Sequence, residues 1–195
     1  MFPYLGNFLD ILPYKDVIEF TKTANWTLAS SSDGCFGQER GEVTRPDFDI
    51  ETLKHYNRNN SLRHEVYVRD QNFFPDEWFS RIGAKKEGHS SKIFLTIPGH
   101  FEPPHIDYYP SFMGNYNSEG KPFTAEEIAE LSKKIIRVWI PLEDSKLGHV
   151  LYSDEYALSS WKQGDAFELP AGVIHGFANG GRENRLLWVC TAWRS

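Results

Sequence analysis

A chain of 195 residues, 40% hydrophobic and 25% charged, has the make-up of one ordinary globular domain, in which about 70% of the unfolded chain's surface can be buried. The formal net charge of −6 argues against a nucleic-acid binder that works through phosphate contacts, and no run of like charges marks an interaction tail. No stretch approaches the roughly 18 apolar residues of a membrane span, and Met1 to Phe20 lacks a basic leader while carrying Asp10 and Asp16, so neither a span nor a signal peptide is expected.

Taken in chain order, the N-terminal part, residues 1–91, reads mainly as helices joined by loops. Pro13 fits a first helical position, with Tyr14, Val17, Ile18 and Thr21 following at helical spacing. Cys35 lies in the Ser- and Gly-rich loop from Ala29 to Gly41. With Cys190 as the only other cysteine, the expectation is two reduced thiols in a cytoplasmic protein rather than a disulfide framework or a thiolate zinc site. Pro46 opens a second expected helix carrying Ile50 and Leu53. Pro75 opens a third with Trp78, Phe79 and Ile82 on one face, stopped by Gly83.

From residue 92 the pattern changes to short β-rich runs separated by Gly, Pro and Asp. They are Ile93 to Ile97, Ile136 to Leu142, His149 to Ser153, Asp165 to Leu169 and Arg185 to Trp193. One helix interrupts them: Thr124 and Glu127 have the spacing of a capping box, and Ile128, Leu131 and Ile135 share a face. The expected architecture is one domain over 1–195, mainly β with flanking helices. Helices pack outside a double-stranded β-helix, the cupin type of jelly roll, formed by 92–195 with an insert at 108–134.

Within that frame His105-Ile106-Asp107 is the first chemically loaded element. Side chains two apart in an extended segment project to one side, and Pro103 and Pro104 favour an extended approach. His175, after the turn Pro170-Ala171-Gly172, is the best third donor. Two histidines and a carboxylate form the facial triad of non-haem Fe(II), which leaves positions open for a chelating 2-oxo acid and for dioxygen. The bland alternative is an H-x-D pair on a surface strand. His55, His64 and His89 sit in polar surroundings, His149 follows a glycine turn, and His100 has the wrong parity to share a face with His105 in a straight strand.

Nine residues lie between His175 and Arg185, which opens the apolar run Leu186-Leu187-Trp188-Val189-Cys190. A guanidinium at the start of a buried strand is costly unless paired, and its bidentate fork matches the spare carboxylate of a 2-oxo diacid. The alternative partner is an acidic residue of the fold. Arg182 competes for the same role from a Gly-Gly turn, and Arg137, opening Val138-Trp139-Ile140-Pro141-Leu142, follows the same logic. Trp139, Trp161, Phe167, Phe177 and Trp188 are candidates for either core or pocket.

Together Pro104-His105-Ile106-Asp107, Arg137 to Leu142, Gly164 to Leu169 and His175-x3-Asn179-x5-Arg185 resemble the Fe(II)/2-oxoglutarate-dependent dioxygenases, most closely the aspartyl/asparaginyl β-hydroxylase-like branch. The resemblance covers roughly residues 93 to 195. It implies that His105, Asp107 and His175 ligate iron, that Arg185 binds the distal carboxylate of 2-oxoglutarate, and that Arg137 lies near the co-substrate. The implied reaction hydroxylates an unactivated C–H bond of a small-molecule or peptide substrate, an amino acid or a peptide residue first, and releases succinate and carbon dioxide. Two features depart from the branch. Trp139 stands where it has a histidine, which leaves the co-substrate contact at that position open. The stretch between Asp107 and Arg137 is longer and holds Tyr108, Tyr109, Met113, Asn115 and Tyr116, suited to a lid or to a surface excursion. Three other readings keep the fold: a cupin metalloenzyme that needs no 2-oxo acid, a metal-free binding protein, and a nucleobase-modifying oxygenase using Lys121, Lys133 and Lys134. The sequence sets neither the substrate nor the oligomeric state.

Overall fold

Two stretches of the chain are apolar at most positions, and such stretches belong in a sheet covered on both faces. They form β6 (Ile135–Pro141) and β11 (Arg185–Trp193), paired antiparallel with Val189 opposite Trp139 and Thr191 opposite Arg137. The computed structural model describes residues 2–24, 27–28, 65–69, 72–96, 98, 100–105, 107 and 120–195. In chain order the remaining elements begin with β1 (Tyr4–Asn7), α1 (Tyr14–Thr23), β2 (Thr27–Leu28), β3 (Glu65–Arg69) and α2 (Asp76–Ile82). Then come β4 (Ser90–Thr96), β5 (His100–His105), α3 (Ala125–Ser132), β7 (His149–Ser153), β8 (Ala157–Leu158), β9 (Asp165–Glu168) and β10 (His175–Asn179).

The strands make a large sheet in the order β1-β9-β6-β11-β4-β3-β2 and a small one in the order β5-β10-β7-β8. From β4 onward the chain passes back and forth between the sheets, with β7 and β8 forming a hairpin inside the small one. The four strands β9-β6-β11-β4 thereby match β5-β10-β7-β8, the strand order of a double-stranded β-helix, so the expected cupin-type jelly roll is the fold.

The large sheet carries apolar side chains on both faces. On the outer face Val138, Ile140, Trp188 and Ala192 pack with Val17 of α1 and Trp78 and Phe79 of α2. On the inner face Trp139, Phe167, Leu187 and Val189 meet Leu151 and Phe177 of the small sheet. α2 ends where expected, at Gly83, whose φ of 65° suits a left-handed cap. The capping box of α3 is formed on both sides, Thr124 N–H donating to Glu127 Oε2 at 2.7 Å and Glu127 N–H to Thr124 Oγ1 at 3.2 Å.

Three expectations change. The segment before residue 92 supplies strands as well as helices: β1 pairs with β9, and β3 pairs with β4 and β2. Ile135 belongs to β6, because α3 stops at Ser132 and the β-branched pair Ile135-Ile136 suits a pleated, buried position better than a helix end. Pro13 and Pro75 stand one residue before the first helical residue rather than on it. The helix expected from Pro46 lies outside the described residues, as do Cys35, His55, His64 and the insert residues 108–119.

Candidate metal centre

β5 is an edge strand of the small sheet, and its two consecutive prolines, Pro103 and Pro104, are tolerated there because they offer no N–H to a ladder. Against β10 the register is Phe177 opposite Glu102 and then His175 opposite His105. One residue of β10, Gly176, therefore faces two of β5, which is a β-bulge at the prolines. A bulge reverses pleat parity downstream. Glu102, buried at 3% exposure, shares its face with Phe177, and Asp107, an odd number of residues later, nevertheless reaches the face of His175. The same slip removes the parity objection to His100, since register places it opposite Asn179. It is distance that sets His100 apart, because Asn179 lies four residues, about 13 Å, along β10 from His175.

His175 is fixed by its own loop. Its Nδ1 lies 2.8 Å from the carbonyl oxygen of Val173, and since a carbonyl only accepts, Nδ1 carries the hydrogen. Nε2 lies 3.5 Å from Oδ2 of Asp107. An imidazole nitrogen without its hydrogen and a carboxylate oxygen brought that close repel unless a proton or a cation offsets them. Arg137, on β6, brings Nε to 2.9 Å from the same Oδ2 and donates from Nη1 to Thr191 Oγ1 at 3.3 Å. The Trp139 indole and the His175 ring are T-shaped, with centroids 5.4 Å apart and planes at 70°, and Phe2 packs on the indole at 5.2 Å. At 4% exposure Trp139 is a wall that keeps water off the imidazole.

Arg185 opens β11 at 2% exposure, opposite Thr96 of β4. Its Nη2 donates to Thr96 Oγ1 at 3.2 Å, and its guanidinium carbon lies 4.0 Å from the centre of the Phe177 ring. Phe177 follows His175 by two positions on the same face, so the guanidinium sits about 7 Å, one interior row, further along. Fully buried Asn179 braces this end, donating from Nδ2 to the carbonyls of Thr96 at 2.9 Å and Glu183 at 2.8 Å. His149 Nε2 donates to the Glu183 carbonyl at 3.2 Å. Burial pushes the His149 imidazole below its usual value; the Glu183 carbonyl opposes this, and the Arg185 charge reinforces it.

His175, Asp107, Arg137 and Trp139 thus converge, with Arg185 one row away, while His105 is placed by its backbone opposite His175. Among the described residues no three His, Cys, Asp or Glu side chains gather. Arg182 is exposed, as are Lys121, Lys133 and Lys134, with Lys133 paired to Glu130. His89 is part of the core edge against Phe79, and Trp188 belongs to the helix-covered outer face. Ser153, opposite His175, accepts from the N–H groups of Glu155 and Tyr156. Residue-type reading passed over Thr96, Gly176 and Tyr152. A glycine directly after a candidate ligand was the available signal for Gly176.

No protein-family model and no curated protein matches the sequence. Solved structures resemble the chain at low identity. The cupin domain of Cnp3 from Schizosaccharomyces pombe is 11% identical with a TM-score of 0.39, covering 66% of this chain and 64% of that one, so the chain spans under two thirds of its length. A Cupin 2 conserved barrel domain protein from Salinispora arenicola is 18% identical with a TM-score of 0.36, covering 70% and 78%. A sugar phosphate isomerase of the cupin superfamily from Silicibacter pomeroyi is 14% identical with a TM-score of 0.39, covering 70% and 63%.

Proposed function

We propose that the chain is an Fe(II)- and 2-oxoglutarate-dependent dioxygenase of the aspartyl/asparaginyl β-hydroxylase-like type. His105, Asp107 and His175 hold the iron, and Arg185 takes the distal carboxylate of 2-oxoglutarate. The observation that supports this best is Nε2 of His175 facing Oδ2 of Asp107 at 3.5 Å, with the imidazole hydrogen already spent on Val173. A nitrogen and a carboxylate oxygen in that relation suit a borderline divalent ion with open coordination positions. When bound, the iron and its co-substrate supply the oxidation of an unactivated C–H bond by dioxygen, with succinate and carbon dioxide as co-products.

The chain's own groups do the rest. Arg185 offers a fork to a carboxylate in a site of low polarity, where such a pair is strong. The Phe177 face fixes that guanidinium, and Trp139 shields the imidazole. Arg137 holds the Asp107 carboxylate from the side, as outer partners of metal-binding carboxylates do. The substrate class that goes with this reading is an amino acid or a peptide residue.

One observation favours a second reading. Arg137 already gives Asp107 a cationic partner at 2.9 Å, which a metal-free jelly roll would use as an internal ion pair. The two readings part in one experiment, succinate formation from 2-oxoglutarate by Fe(II)-loaded protein beside an Asp107→Asn variant. Outer partners alone are worth about 10–100-fold in metal affinity, so losing the carboxylate should weaken Fe(II) binding by more than about a hundredfold and abolish succinate. Wild-type protein that neither binds Fe(II) nor retains 2-oxoglutarate in its presence would establish the ion-pair reading.

A further inference from the structure

We infer that Tyr152 is a positioning residue of the metal centre, acting through the backbone of β5. The inference rests on the metal reading above. The ligand-bearing end of β5 is weakly supported backbone: it lies at an edge of the small sheet, and beside the candidate ligands it is interrupted by a bulge at two prolines without N–H groups. On the opposite flank of β10, β7 pairs with Tyr152 opposite Gly176. The Tyr152 side chain crosses over β10 at that glycine, and its hydroxyl donates to the Glu102 carbonyl of β5 at 2.6 Å. The three strands are thus tied on the face away from the candidate ligands, at the last regular residue before the bulge.

Only a glycine at 176 permits the crossing. A Cβ there would lie 2.6 Å from the Glu102 carbonyl oxygen and 2.6 Å from the Tyr152 hydroxyl. Backbone and side chain would both have to move, and the bulge would lose its anchor. The bond fixes where β5 turns out of register, and that slip carries Asp107 to the face of His175 and sets His105 opposite it. In this scheme Tyr152 acts through the β5 backbone and sets the spacing of the ligands.

The test measures Co(II) binding to the whole chain by visible absorption, beside thermal unfolding of the metal-free protein. Tyr152→Phe removes the hydroxyl and keeps the ring. Ser91→Ala, as a control, removes a buried bond on the outer face of the large sheet, where Trp188 Nε1 lies 3.4 Å from Ser91 Oγ. The expected result is a Kd for Co(II) raised about fivefold in Tyr152→Phe and unchanged in Ser91→Ala, with both variants slightly less heat-stable. Wild-type affinity in Tyr152→Phe, or equal weakening in both variants, overturns the positioning role and leaves the metal reading standing. A wild-type chain that takes up no Co(II) overturns both.

Discussion

β6 and β11 each present two faces that share one backbone and differ in everything else. Toward the helices their side chains are Ile136, Val138 and Ile140 on one strand and Leu186, Trp188, Cys190 and Ala192 on the other, without a charge among them. Toward the small sheet the same strands place Arg137 and Trp139, and Arg185, Leu187, Val189 and Thr191. Period-two alternation lets one strand serve both roles, because a residue on one face leaves its neighbour's face untouched. A scaffold face gains stability from apolar burial, whereas guanidinium groups on the inner face cost desolvation that only partners can offset. The two faces should therefore answer mutation in opposite currencies, the outer one in stability and the inner one in ligand affinity.

The largest effect should come from the outer face. Trp188 is fully buried and stacks on Phe74 with ring centroids 3.8 Å apart. Trp188→Ala should cost about 3–5 kcal/mol in urea unfolding, a large fraction of an ordinary domain's stability. On the metal reading proposed above, the folded fraction should show the same Fe(II) affinity as the wild type. On the inner face Arg185→Met keeps bulk and removes charge. It should weaken 2-oxoglutarate binding to the metal-loaded protein by about 2–5 kcal/mol. If Arg185→Met unfolds as readily as Trp188→Ala and binds 2-oxoglutarate normally, the inner face is scaffold too and the contrast collapses.

That contrast is partly legible in the sequence. Alternation and turn residues locate β4, β6, β7, β9 and β11, because strands covered on both faces must be apolar and must end where Gly and Pro allow a turn. The strands β1 to β3 were not legible: β1 ends on the polar Asn7 and joins the large sheet through a partner far away in sequence, β9. At the site, residue type singled out His175, Asp107 and Arg185, since a histidine after a turn and a charge at a strand start need a reason. The parity argument at His100 holds for a straight strand, and the bulge in β5 is a property of a strand pair that a single sequence does not display. For the same reason Tyr152 looked ordinary. Its role depends on standing opposite a glycine that is itself next to a prolines-made slip.

The smallest effect probes the Arg185 end of the inner face from across the barrel, where burial of His149 on β7 favours its neutral form. His149, 2% exposed, donates from Nε2 to the Glu183 carbonyl and lies near enough to Arg185 to feel its charge. Burial, foremost, depresses its folded-state pKa below the ordinary value of about 6.5 that it regains on unfolding. As pH falls below about 6.5 the unfolded chain takes up this proton before the folded one does, so protonation favours unfolding. The contribution of neutral His149 is intact above that value and is lost as pH descends toward the folded-state pKa. Urea midpoints at pH 7.5 and pH 5.5 should therefore fall further in the wild type than in His149→Gln, both proteins sharing every other titrating group. Parallel losses in the two proteins would mean that His149 accepts a proton in place. The Arg185 end of the inner face would then be open to water, and the pocket in which a carboxylate is to be held tightly would lack the low polarity that makes the pairing strong.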